Sequence, residues 1–105
     1  NAGEESVYHA FMIVQHSYPQ NRKTYFPFFE SSMDKGLINK SSLALMIDRM
    51  LIDNNKKQIY GTQFEINIKT GEKKLCPIEN PQKIDSIRAS VGLGTLVEYL
   101  KSVGF

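Results

Sequence analysis

The chain has 105 residues and a mass of 12.0 kDa, with 41% hydrophobic and 23% charged residues, the proportions of a single globular domain able to hold a core without disulfide or metal staples. No apolar run approaches the roughly 20 residues of a membrane helix. The formal charge of +2 rests on lysines scattered along the chain, which excludes a strong steering field for nucleic acid.

The run Glu5 to Ser17 carries Val7, Tyr8, Ala10, Phe11, Met12, Ile13 and Val14, with acids at its start, and predicts a first helix buried on nearly every side. Pro19 opens a second helix that carries Tyr25, Phe26, Phe28 and Phe29 to near Gly36, and Pro27 is expected to kink or restart it. Asn39 or Ser41 can cap a third helix through Leu43, Met46, Ile47, Met50 and Leu51, ending at Asp53-Asn54-Asn55. The period then changes to two. Phe64, Ile66 and Ile68 alternate with Glu65, Asn67 and Lys69 before the turn signal Thr70-Gly71 and a return through Lys73 to Cys76, which predicts a β-hairpin. Asn80-Pro81 starts a fourth helix with Ile84, Ile87 and Val91 on its stripe, closed by Gly92. Thr95 and Glu98 form a capping-box pair ahead of a fifth, with Leu96, Tyr99, Leu100 and Val103. The expected fold is α+β and mainly helical, about five helices packed with one small antiparallel hairpin in a single domain, 1–105.

Several polar residues stand where apolar ones are expected. Gln15-His16 ends the most apolar helix. His9 and His16 share a face but are separated by two turns, roughly 10 Å, and cannot hold one metal through that helix. His16 reads either as a hydrogen-bonded helix-end residue or as a general base or ligand-binding imidazole. Asp48-Arg49 interrupts the uncharged run Leu43 to Ile52, either as the solvated stripe of an amphipathic helix or as a half-buried ion pair or hydrogen-bond hub. Three of the thirteen cations are arginines, and Arg49 and Arg88 draw attention. With Ile84 as reference, Ile87, Arg88 and Val91 fall at about −60°, +40° and −20°, so Arg88 leaves from the apolar stripe and needs an acceptor. Glu79 and Asp48 are the candidates within the chain, and an anionic ligand would serve as well. If the hairpin strand extends backward, Gln58, Tyr60 and Thr62 share its inner face; Gly61 can instead mark a bulge that turns Gln63 inward.

Cys76 is alone, which excludes an internal disulfide and a multi-cysteine metal site. The chain has no G-x-S-x-G, H-E-x-x-H, C-x-x-C pair or P-loop, and Gly92-Leu93-Gly94 follows a helix rather than a strand, so no cofactor is implied. The opening Asn1-Ala2-Gly3 reads as an expression remnant or an internal start.

Taken in order, Val14-Gln15-His16, Asp48-Arg49-x-Leu51, Gln58-x-Tyr60-Gly61-Thr62-Gln63, Pro77-Ile78-Glu79-Asn80-Pro81, Asp85-x-x-Arg88-x-x-Val91-Gly92-Leu93 and Glu98-Tyr99-Leu100 resemble a bacterial domain family of unknown function with QH, DR, YGTQ and RxxVGL motifs. The similarity runs from about Gly3 to Leu100. Asn80 stands where an acid is common in that family, and Ser17 where Ala is. The resemblance implies a bacterial source, a shared polar cluster and a place in the C-terminal portion of a longer protein; it implies no known reaction and leaves the compartment open.

The expectation is therefore one polar pocket for an anionic or amide-bearing small molecule or peptide end. Arg49 and Arg88 would anchor it, and Gln15, Gln58, Tyr60, Thr62 and Gln63 would set orientation. If it is catalytic, His16 would shuttle the proton with Asp48 or Glu79 as its partner. The alternative is a non-catalytic protein-interaction or accessory module whose polar cluster is structural. Nucleic-acid binding through Lys56-Lys57 and Lys73-Lys74 is not expected.

Overall fold

Three helices form the first half of the chain in the computed structural model, which describes residues 2–105. Helix α1 spans Ala2–Gln15, α2 Pro19–Asp34 and α3 Lys40–Asp53. Glu4 and Glu5 place negative charge at the N-terminal dipole of α1. Pro19 occupies the first turn of α2, where a missing N–H costs nothing. Asn39 takes the position before α3 without making a side-chain cap bond.

One core lies between these helices. Phe11 of α1 meets Phe29 of α2 edge to face, ring centroids 5.7 Å apart, and Val7, Ile38, Leu43 and Met46 close around them. Only one stripe of α1 is covered: Val7 and Phe11, four residues apart, are buried, whereas Ile13 is 71% exposed. This corrects the expectation of a helix buried all round, because its neighbours in a single helical layer reach only one side of it. Pro27 does not break α2 either. It lies on the exposed face, where the carbonyl that loses its amide partner can be hydrated.

The second half is built around a hairpin. Strand β1, Phe64–Ile66, pairs antiparallel with β2, Lys73–Leu75, in the register Phe64 to Leu75 and Ile66 to Lys73. Asn67 fixes the turn, its side-chain oxygen accepting from the Lys69 amide. A 3-10 turn over Pro81–Lys83 leads into α4, Ile84–Ser90, and α5 follows over Leu96–Ser102. Thr95 Oγ1 accepts from the Glu98 amide, as the capping-box reading requires. The fold is the expected one of five helices and one hairpin. No helix among the described residues is long and apolar enough to cross a membrane.

Two details of the hairpin differ from the period-2 reading. Phe64 is covered by Tyr99 and Phe105, at 6.5 and 5.6 Å between ring centroids, but Ile66 is exposed and Ile68 is 98% exposed. The strands are three residues long, and the aromatic rings of Tyr99 and Phe105 pack on Phe64 alone of this face. The segment 58–63 is a loop rather than a backward extension of β1, joined to the chain beyond β2 by a parallel bridge from Gln58 to Ile78 and by the Cys76 amide on the Gln63 carbonyl.

Candidate functional site

The loop 58–63 gathers polar side chains of α3, α4 and α5 around it. Asp48, midway along α3, has no exposed surface. Its Oδ1 accepts from the amides of Ile59 and Tyr60 at 2.8 and 2.9 Å. Its Oδ2 accepts from the amide and hydroxyl of Thr62 at 3.1 and 2.7 Å. Four donors satisfy a buried carboxylate that forms no ion pair among the described residues. Arg88 of α4, 2% exposed, takes the carbonyls: Nε donates to Gly94 at 2.7 Å, and Nη1 to Tyr60 and Gly61 at 2.8 and 3.3 Å.

Gln58 and Tyr99 complete the hold on this loop. Gln58 Nε2 donates to the Gln63 and Cys76 carbonyls, and Gln58 Oε1 accepts from the Gln63 amide. Tyr99 donates its hydroxyl to the Thr62 carbonyl at 2.8 Å and offers its ring face to the Arg88 guanidinium, 5.0 Å away. Burial pulls the Arg88 guanidinium below its ordinary value, opposed by Tyr99, Asp85 and Asp48. Burial likewise pushes the Tyr99 phenol up, so it remains a donor. Gly61 permits the turn: its φ is +67°, and a Cβ there would stand 3.1 Å from Leu96 Cδ1.

A second group lines an open cleft of about 360 Å³ where the end of α1 faces α3 and the loop. Gln15, His16 and Ser17 come from α1 and its exit, Leu45 and Arg49 from α3, Arg22 from α2, and Gln63 from the loop. Arg22 is 2% exposed and builds one wall. Its Nε and Nη2 donate to Asp53 Oδ2 at 2.9 and 2.6 Å, and Nη1 donates to the Gln15 and Ser17 carbonyls at 3.0 and 2.8 Å. It thus neutralises Asp53 and caps the negative end of α1. Arg49 is 45% exposed, with Nε 3.7 Å from Asp53 Oδ1, too far for a hydrogen bond, so its donors remain open to the cleft. Gln15 Nε2 donates to the Leu45 carbonyl at 3.2 Å, while Gln15 Oε1 is buried without a donor.

The polar residues therefore fall into two groups instead of one pocket. Asp48, Gln58, Tyr60, Thr62 and Arg88 belong to the loop clamp, Tyr60 through its backbone. Gln15, His16, Arg49 and Gln63 meet at the cleft, and Gln63 touches both groups because its Nε2 donates to Thr62 Oγ1. Glu79 stays apart, exposed beside a different cleft with Leu51, Lys56, Lys57 and Ile59. Neither Glu79 nor Asp48 is an acceptor for Arg88, whose Nε and Nη1 go to the carbonyls of Gly94, Tyr60 and Gly61, and no carboxylate among the described residues bonds to the exposed His16.

Arg22 and Asp53 are the pair that sequence reasoning missed. The signal existed: Arg22, Phe26, Phe29 and Met33 follow the i, i+4, i+7, i+11 stripe of a core-facing helix, the argument that singled out Arg88. No group of three or more His, Cys, Asp or Glu among the described residues could hold a metal ion.

No curated protein and no solved structure gives a significant match to the chain. A family model does match it, over residues 1–104, and its description is Family of unknown function (DUF6624). With all but one of its residues covered, the chain belongs to that family of unknown function, as its ordered motifs led one to expect.

Proposed function

We propose that the cleft between the end of α1 and α3 is a binding site for an anionic or amide-bearing small molecule or peptide end. The observation that carries this reading is Gln15 Oε1, a buried acceptor without a donor, on a residue that lines the cleft together with the open guanidinium of Arg49. A buried acceptor left unpaired costs about 1–3 kcal/mol, and such a group is retained most economically where a ligand supplies the donor. Arg49 and His16 would take the anion and Gln15 and Gln63 the polar remainder. Arg88, buried and with Nε and Nη1 committed to carbonyls, is a scaffold residue in this reading. So is Asp48.

Acid/base chemistry at His16 receives less support than binding, since Asp48 is committed to four donors and Glu79 lies at another cleft. A second reading, a non-catalytic interaction or accessory module, draws on the apolar side chains that α1 and α2 leave exposed, Tyr8, Ile13, Tyr25 and Phe28.

The test is an amide chemical-shift titration of the full chain with millimolar acetate, inorganic phosphate and acetamide. Shifts confined to Gln15, His16, Arg49 and Gln63, and lost in Arg49→Gln for the anions, support the site. Probes that leave those resonances unmoved, or that act equally on Arg49→Gln, overturn it.

A further inference from the structure

The two glutamines of the cleft have no freedom over which end of the amide they present. Gln15 Nε2 lies 3.2 Å from the Leu45 carbonyl, and turning the amide over would set oxygen against oxygen. Gln63 is fixed one step further back. Asp48 Oδ2 can only accept, so the Thr62 hydroxyl gives it its proton at 2.7 Å, and Thr62 Oγ1 is left as an acceptor for Gln63 Nε2 at 3.1 Å. Each amide nitrogen is thus turned to the protein, and each amide oxygen is left without an intramolecular donor among the described residues. The loop clamp, through Thr62, sets the polarity of the cleft.

The two arginines of the lining have the opposite character. Arg49 brings up to five N–H donors that no acceptor among the described residues engages at hydrogen-bond distance, and Arg22 cannot share this role because Asp53 and two carbonyls occupy it. The lining residues of the cleft therefore carry two amide oxygens without an intramolecular donor among the described residues, that of Gln15 lying just below the surface, beside the cationic fork of Arg49 and the imidazole of His16.

Resting on the binding reading above, we infer that the ligand is an α-amino carboxylate, a carboxylate whose neighbouring carbon bears an N–H. The carboxylate would be held by Arg49 and the N–H would be taken by the amide oxygens of Gln15 and Gln63. A volume of about 360 Å³, near the lower end of ligand sites, suits one such residue-sized group. A free amino acid and the C-terminal residue of a peptide share this chemistry.

The test compares affinities for the full chain by calorimetry or chemical-shift titration. Glycine represents the free amino acid, N-acetylglycine the peptide end, and propionate the same anion without the N–H. One of the first two is expected to bind about tenfold tighter than propionate, the usual worth of a satisfied buried acceptor, and which one does so identifies the source. In Gln15→Met that advantage should vanish, so that the favoured N–H ligand binds no tighter than propionate. In Arg49→Gln all three should weaken together. Propionate binding as tightly as both N–H ligands, with the Arg49 dependence intact, overturns this inference and leaves the binding site standing; absence of binding by all three carboxylates overturns the site as well. An advantage that persists in Gln15→Met overturns the role given to Gln15.

Discussion

Asp48 and Arg88 hold the same loop without touching each other: the carboxylate takes its N–H groups, at Ile59, Tyr60 and Thr62, and the guanidinium takes its C=O groups, at Tyr60 and Gly61. A direct salt bridge would have satisfied two side chains and left the buried loop backbone unpaired. Divided in this way, the two charges serve as substitutes for the strand that the loop does not form.

Each half of this arrangement should be costly to remove. Asp48→Ala leaves three amides without acceptors, and Arg88→Met leaves carbonyls without donors, so each is expected to lower stability by about 2–5 kcal/mol in urea denaturation. Because both act on one loop, the double variant should lose less than the sum of the two. Strict additivity would show that the residues act independently.

Gly61 should tolerate no side chain. Its φ of +67° and the 3.1 Å separation between Leu96 Cδ1 and the position a Cβ would take predict that Gly61→Ala costs about 1–3 kcal/mol. At Gly71, also at positive φ but with open space around it, alanine meets only the backbone penalty, so the loss there should be smaller. Equal melting-temperature changes in the two variants would contradict the role given to packing.

The Arg22–Asp53 pair predicts a contrast with Arg49. Asp53→Ala removes the carboxylate opposite a guanidinium that is 2% exposed and should destabilise by about 3–5 kcal/mol. Arg49→Gln, at a half-exposed site with only a long contact to Asp53, should move stability by less than about 1 kcal/mol. Arg49→Gln and His16→Ala should accordingly melt close to the unchanged chain, which makes them usable as binding variants.

Tyr99 gives the chain an alkaline limit. Burial raises its phenol above the ordinary value of 10.0, so in the folded state the proton is retained where the unfolded chain gives it up. The contribution is fully present below about pH 10 and is lost as pH rises from there through the folded value. Stability should fall over that interval, and Tyr99→Phe should show a shallower fall, measured by denaturation at a series of alkaline pH values. Cys76, also raised chiefly by burial, should react slowly with thiol reagents in the native chain and rapidly in urea.

The element types were legible in the sequence because each carries its own period and punctuation: Pro19, the apolar stripe of α3, the alternation at Phe64, and Thr95 with Glu98. Arg88 was legible as a buried cation from its place on the stripe of α4, and Asp48 from the apolar run around it. Their acceptors and donors were not, since backbone groups of a loop have no signature in side-chain identity. Period and composition also overstated burial. Alternation continues to Ile68 and apolar residues surround α1, but only a neighbouring element decides which of them is covered.

By itself, then, the sequence determined which local structures form and which polar residues leave from apolar stripes, because both follow from spacing along one element. The tertiary structure alone decided that these residues part into a sealed clamp and an open cleft, and that Arg22 rather than Arg49 is the buried arginine of the first half. Partnership depends on which elements meet, and three helices, a loop and a short hairpin separated by up to 37 residues meet here through hydrogen bonds that no local pattern encodes.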